Sequence, residues 1–179
     1  GLEYFIQETN KVIDTIENYK FRYILVNDGS RDKTYLVMKK LAEKYFFVKY
    51  LSFSRNFGKE AAMYAGLKHS TADYVIVMDA AMFPKMLEAI EEGYDCCAAM
   101  RSTRKGESKI RSFFSRTFYR ISNKITDVKM PYGAVDFRIM SRQMVNSILE
   151  LSEVQRFSKG IFCWVGFNTK WIPYENVER

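Results

Sequence analysis

Leu2, Phe5, Ile6, Thr9, Val12, Ile13 and Ile16 recur at three- and four-residue steps, a period that predicts an amphipathic helix at the start of the chain. The pattern then changes to a short apolar run rich in β-forming residues, Phe21 to Val26. Asn27-Asp28-Gly29-Ser30 closes it, so it reads as a strand entering a turn. Helix-favouring residues from Thr34 to Tyr45, an alternating stretch from Val48 to Phe53 and a helix from Lys59 to His69 follow. Tyr74 to Met78 is a continuous apolar run, the pattern of a strand buried on both faces. Met82 to Glu92 reads as a helix and Asp95 to Met100 as a further strand. Strands alternating with helices of this length predict an α/β fold, a mostly parallel sheet of βαβ units flanked by helices.

Composition bounds this picture. With 179 residues, 47% of them apolar, the chain suits one domain spanning residues 1–179. No run approaches the roughly 18 apolar residues of a bilayer span and no secretory leader opens the sequence, so the chain is expected to be soluble by itself. It opens on a helix where such a sheet starts with a strand, and it stops without a closing element. Segments are therefore expected beyond both ends. Cys96, Cys97 and Cys163 fit neither a disulfide framework nor a zinc spacing, and reduced core thiols in a cytoplasmic setting are expected.

Charge adds a location. Arg101, Arg104, Lys105, Lys109, Arg111, Arg116, Arg120 and Lys124 stand against a single acid, Glu107, so this segment alone carries the net +7 of the chain. A patch this local points to a localised anionic partner. Within it, Ile110, Phe114, Phe118, Ile121 and Ile125 share one helical face and Lys109, Arg116, Arg120 and Lys124 the opposite one. Such a helix can pack its apolar face on the domain, lie at a lipid headgroup layer, or do both. Most aromatic residues sit in apolar runs instead of interleaving with cations, which argues against a nucleic-acid partner.

Ligands of parallel α/β sheets bind beyond the carboxyl ends of the strands. There the chain places Asn27, Asp28, Gly29 and Ser30, then Arg55, Asn56, Gly58 and Lys59, then Asp79, and then Arg101, Arg104 and Lys105. Asp28 can accept hydrogen bonds from a nucleobase or ribose, or it can cap the next helix together with Ser30. Asp79 can hold a hard cation on a diphosphate, or cap a helix. The arginines and lysines can neutralise phosphates, or remain solvated surface charges. Asp136, in Gly133-Ala134-Val135-Asp136-Phe137-Arg138, can act as a general base or pair with Arg138.

Taken together and in order, these segments resemble family 2 of the inverting glycosyltransferases, of GT-A fold, and within it the polyprenyl-phosphate glycosyltransferase and dolichyl-phosphate mannose synthase branch. Val26 to Asp32 followed by Thr34 is similar to that family's nucleotide-binding turn. Ser54 to Ala62 is similar to its second signature. Val77-Met78-Asp79-Ala80 resembles the start of its Asp-X-Asp metal motif, Asp136-Phe137-Arg138 the segment of its catalytic carboxylate, and Arg156-Phe157-Ser158-Lys159-Gly160 a late motif facing phosphates or acceptor. The family's first strand is expected before Gly1. After Asp79-Ala80, where the family reads Asp-Leu-Gln and a Pro-rich loop, Ala81-Met82-Phe83-Pro84 follows directly, so either the second metal carboxylate is lost or a loop is missing from the sequence there. A missing loop is the expectation, because Met82 onward resumes the helix.

The resemblance implies an inverting hexosyltransferase that moves a sugar from a UDP- or GDP-sugar to a polyprenyl phosphate at the cytoplasmic face of the membrane. Asp79 would hold Mg²⁺ or Mn²⁺, Asp136 would be catalytic, and Arg104, Lys105, Arg116, Arg138, Arg156 and Lys159 would meet the acceptor phosphate. A soluble or glycan acceptor, or a nucleotide-sugar-binding module without turnover, are the alternatives, and a homo-oligomer is compatible with either.

Overall fold

The computed structural model of the chain describes residues 1–77, 83–101, 131, 133–151 and 158–174. Two compact units divide the chain, Gly1–Ala72 and Asp73–Arg179.

In the first unit the predicted amphipathic helix is α1 (Leu2–Ile13), with Ile6 and Thr9 buried. Thr9 enters the apolar stripe because its hydroxyl donates to the Phe5 carbonyl one turn back, at 2.7 Å. The stripe runs on to Ile16 but the helix does not. The Thr15 hydroxyl bonds to the Val12 carbonyl at 2.6 Å, a local alternative to the helical ladder. Strand β1 (Tyr23–Asn27) and strand β2 (Val48–Ser52) pair in parallel, Tyr23 opposite Val48 and Asn27 opposite Ser52. Helix α2 (Thr34–Lys44) supplies the crossover that parallel neighbours require. Leu25 packs with Ile6, Met38, Leu41 and Val48 into one core. Its neighbour Val26 points to the other face, since side chains alternate along a strand. There the Val26 methyl lies 3.6 Å from the position a Cβ would take on Gly66, in α3 (Lys59–His69). The β1–β2 pair is thus covered on both faces.

The second unit contains β3 (Tyr74–Val77), α4 (Phe83–Glu91), β4 (Cys96–Arg101), β5 (Ala134–Ser141), α5 (Arg142–Glu150), α6 (Ser158–Trp164) and β6 (Thr169–Tyr174). Its sheet has the order β3-β5-β4-β6. β6 runs parallel to β4, while β5 runs antiparallel to β3 and β4. Parallel pairing therefore holds for β1–β2 and β4–β6, and β5 is the strand that makes the sheet mixed. β5 passes directly into α5, where the Ser141 hydroxyl oxygen accepts from the Met144 amide at 3.3 Å as a side-chain cap.

Cys96, Cys97, Ala98 and Ala99 have no exposed surface, because β4 has a strand on each side and α4 across it. Small side chains are what this position admits. Tyr74–Val77, by contrast, departs from the expectation of a strand buried on both faces. It ends the described sheet, Tyr74 is 39% exposed, and the other three residues are half-buried. An uninterrupted apolar run registers hydrophobicity but not whether a partner lies on each edge.

The three cysteines are free thiols. Burial pushes Cys96 and Cys97 from the ordinary value near 9 up to about 11. Such groups hold their protons more tightly folded than unfolded, so their contribution to stability is complete below the unfolded value and is lost as pH rises through the folded one. Urea midpoints should fall between about pH 9 and pH 11, and the C96A/C97A double variant should show a shallower fall. A midpoint as constant in the parent as in the variant would contradict this.

Candidate functional site

The turn after β1 is built by its own side chains. Asn27, 3% exposed, donates through Nδ2 to the Ser52 hydroxyl at 3.0 Å, and its Oδ1 accepts the Ser30 amide at 3.0 Å. The first bond ties the carboxyl ends of β1 and β2 together; the second closes the turn. Gly29 has a φ of 66°, and a Cβ there would lie 2.3 Å from the Arg55 carbonyl carbon and 2.5 Å from the Asn56 nitrogen. Only glycine lets the two loops touch.

Asp28 then locks them. Its Oδ1 accepts from the Phe57 amide at 2.7 Å and its Oδ2 from the Gly58 amide at 3.0 Å. Gly58, with a φ of 92°, is the N-cap residue of α3, and this helix has no side-chain cap of its own. A carboxylate at that end complements unpaired N–H groups and the positive pole of the helix. Asp28 therefore does not cap the helix that follows it in sequence. Asp32 stands just before α2, its Oδ1 accepting from the Thr34 amide at 2.9 Å, and hydrogen bonds from the Thr34 side chain and amide hold the Asp32 carboxyl below its usual value.

The interlocked turns enclose a pocket of about 510 Å³. Asn27 and Gly29 line it with Ser30, Arg31 and Tyr35 from the first loop and α2, and with Phe53, Ser54, Arg55 and Asn56 from the second. The Arg55 guanidinium lies 4.9 Å from the centre of the Phe57 ring, and Phe57 stands edge-on to Phe53 at 5.6 Å. Tyr35 is edge-on to Tyr50 at 5.8 Å, and its hydrogen bond raises the Tyr50 phenol above its ordinary value. The pocket thus offers two exposed guanidinium groups, hydroxyl and amide hydrogen-bonding groups and an aromatic wall, a set suited to an anionic ligand with a planar part.

Of the predicted first-unit residues, Asn27, Gly29, Ser30, Arg55 and Asn56 line this pocket, while Asp28 and Gly58 build it from behind. Lys59 opens α3 and is exposed. Sequence reasoning missed Arg31, Tyr35, Ser52, Phe53 and Ser54 as lining residues. Arg31 directly follows Ser30, and Tyr35 stands in the first turn of α2, which was the available signal.

The second unit holds the other described candidates. Arg101 ends β4, its amide donating to the Gly133 carbonyl at 2.9 Å. Asp136 is half-buried in β5. Arg138 is 2% exposed and lies over the Phe162 ring at 3.8 Å. Its Nη2 donates to the Val135 carbonyl at 3.1 Å and its Nε to the Asp136 carbonyl at 3.4 Å. Desolvation pulls this guanidinium below its ordinary value. Arg138, expected to meet the acceptor phosphate, is thus buried within the unit with two of its donors on main-chain carbonyls. Asp79, Arg104, Lys105, Arg116 and Arg156, and the basic helix from Lys109 to Ile125, lie outside the described residues. For Lys159 only the main chain, in α6, is described. Among the described residues, no group of three or more His, Cys, Asp or Glu could hold a metal ion and no helix is long and apolar enough to cross a membrane.

The interlock yields a direct expectation. The G29A variant must move the second loop, so it should lose nucleoside diphosphate binding by calorimetry and melt several degrees lower, about 1–3 kcal/mol for a strained positive φ alone. Parent-like binding and melting would contradict the closeness of the loops.

The chain is similar to several known proteins. The protein CsbB of Bacillus subtilis (strain 168) is 48% identical over 168 residues, 90% of this chain and 51% of that protein. A protein named bactoprenol glucosyl transferase, from Shigella phage SfX, is 36% identical over 178 residues, 96% of this chain and 58% of that protein. The prophage bactoprenol glucosyl transferase homolog of Escherichia coli (strain K12) is 35% identical with the same coverage. The chain thus spans about half the length of the curated relatives it matches. Among solved structures, the bifunctional IspDF from Campylobacter jejuni aligns with a TM-score of 0.54 at 8% identity, over 92% of this chain and 40% of that one, a likeness of fold alone. The profile of Glycosyl transferase family 2 matches residues 3–149, and the chain belongs to that family.

Proposed function

We propose that the protein moves a sugar from a UDP- or GDP-sugar to a polyprenyl phosphate, with inversion, at the cytoplasmic face of the membrane. The observation that carries this reading is the pocket at the carboxyl ends of β1 and β2, where both motif turns bring Arg31 and Arg55 beside hydrogen-bonding groups and Tyr35. Two relatives whose names refer to bactoprenol support the lipid acceptor.

In this reading the nucleoside diphosphate occupies the pocket, with Arg55 and Arg31 neutralising phosphate oxygens and Ser30 and Asn56 orienting the nucleoside. An acceptor oxygen attacks the anomeric carbon from the face opposite the leaving group. The new C–O bond forms as the bond to the diphosphate breaks, which inverts the centre, and the cations stabilise the charge that develops. A phosphate acceptor is already largely ionised near neutral pH, so Asp136 chiefly orients it. The basic segment, with Arg104, Lys105 and Arg116, and the late motif, with Arg156 and Lys159, receive the lipid phosphate. A Mg²⁺ or Mn²⁺ ion with Asp79 among its ligands would add charge stabilisation at the diphosphate.

The test is transfer by the full-length protein in membranes, with a panel of UDP- and GDP-sugars and undecaprenyl phosphate. One donor should give a lipid-linked sugar of inverted anomeric configuration. R55A should raise the donor KM about tenfold or more, as expected for loss of a charged hydrogen bond, and D136N should lower kcat about 100-fold or more. Transfer to soluble glycans but to no polyprenyl phosphate, from every donor tried, would contradict the reading.

A further inference from the structure

The β4–β5 ladder breaks where Asp136 lies. Ala98 pairs with Arg138, and the next pair toward the sheet's end is Met100 with Ala134. One β4 residue, Ala99, therefore faces three on β5: Val135, Asp136 and Phe137. On the other side, the described pairing with β3 runs from Tyr74 opposite Ser141 to Val77 opposite Arg138. A bulge removes main-chain groups from the ladder, and those groups then need other partners. Here the partner is a side chain. The Arg138 guanidinium reaches back along its own strand to the carbonyls of Val135 and Asp136, at 3.1 and 3.4 Å. The Phe162 ring of α6, 3.8 Å away, fixes the plane of the fork.

We propose that Arg138 is a positioning residue, whose buried guanidinium staples the β5 bulge and thereby sets the placement of Asp136. The inference rests on the role given to Asp136 above. A buried cation is costly to desolvate, and an apolar side chain of similar volume often does as well or better for stability alone. The shape of the bulge, not the strength of the core, is what this guanidinium supplies. Methionine would fill the site and satisfy neither carbonyl. Lysine would keep the charge but could not fork onto both.

The experiment compares R138M, R138K, F162L and D136N in the full-length protein, using undecaprenyl phosphate and the UDP- or GDP-sugar active in the transfer panel. Rates are expressed per donor-binding site counted by calorimetry, so that loss of folded protein is not read as loss of turnover. R138M should keep the parent's donor KM while kcat per binding site falls about 100-fold, the scale of a 1 Å misplacement. R138K and F162L should fall in the same direction by less, again at unchanged donor KM. If R138M does not fold, R138K and F162L give the same reading. Parent-like kcat in the folded Arg138 variants, or a fall in kcat matched by a rise in donor KM, overturns the inference. Full turnover by D136N would instead overturn the role of Asp136, whereas an inactive D136N beside fully active Arg138 variants would count against the staple alone.

Discussion

The carboxylate of Asp28 and the amides of Phe57 and Gly58 form the contact on which the candidate donor pocket depends. Each oxygen takes one amide, at 2.7 and 3.0 Å, so a residue of the first loop fixes both the path and the charge environment of the second. Hydrogen bonds to an ionised acceptor are about twice as strong as neutral ones. These also supply negative charge at the amino end of α3. Glycine at position 29 permits the approach, and Asn27 ties both strand ends to the same turn. Arg55 and Asn56 sit between these fixed points, which is why they line a formed pocket instead of waving in solvent.

The second unit applies the same physics to a different problem. Its sheet is regular except beside Asp136, and there the polar groups released from the ladder turn to Arg138. Buried Thr9, Asn27 and Arg138 all bond to main-chain or side-chain groups close by in the fold. Burial without such partners would cost more than packing returns. In both units a buried polar side chain shapes a backbone segment, Asn27 the turn after β1 and Arg138 the bulge of β5.

Element order was largely legible in the sequence, because 3.6-residue and two-residue periods differ sharply. Lys59 to His69 is helical over the same span that periodicity suggested, and β2 and α2 differ by one residue at their ends. What periodicity does not encode is pairing partners, so the place of β3 at the end of the described sheet and the antiparallel insertion of β5 were not visible. The motif residues of the first loop were legible as a group, yet their division of labour was not. Asp28 bonds to amides about 30 positions away, and a long-range contact of that kind leaves no local trace. Arg138 reads in the sequence as a partner for Asp136 or for a phosphate, and its bonds to the Val135 and Asp136 carbonyls leave no local trace.

A single carboxylate thus holds the two motif turns in register. Amide hydrogen exchange at Phe57 and Gly58, followed residue by residue in the parent and in the D28N variant, tests this most directly. Both amides should be protected in the parent and should lose that protection together in D28N, while the β1–β2 amides stay protected. Unprotected Phe57 and Gly58 amides in the parent, or protection unchanged by D28N, would contradict the account.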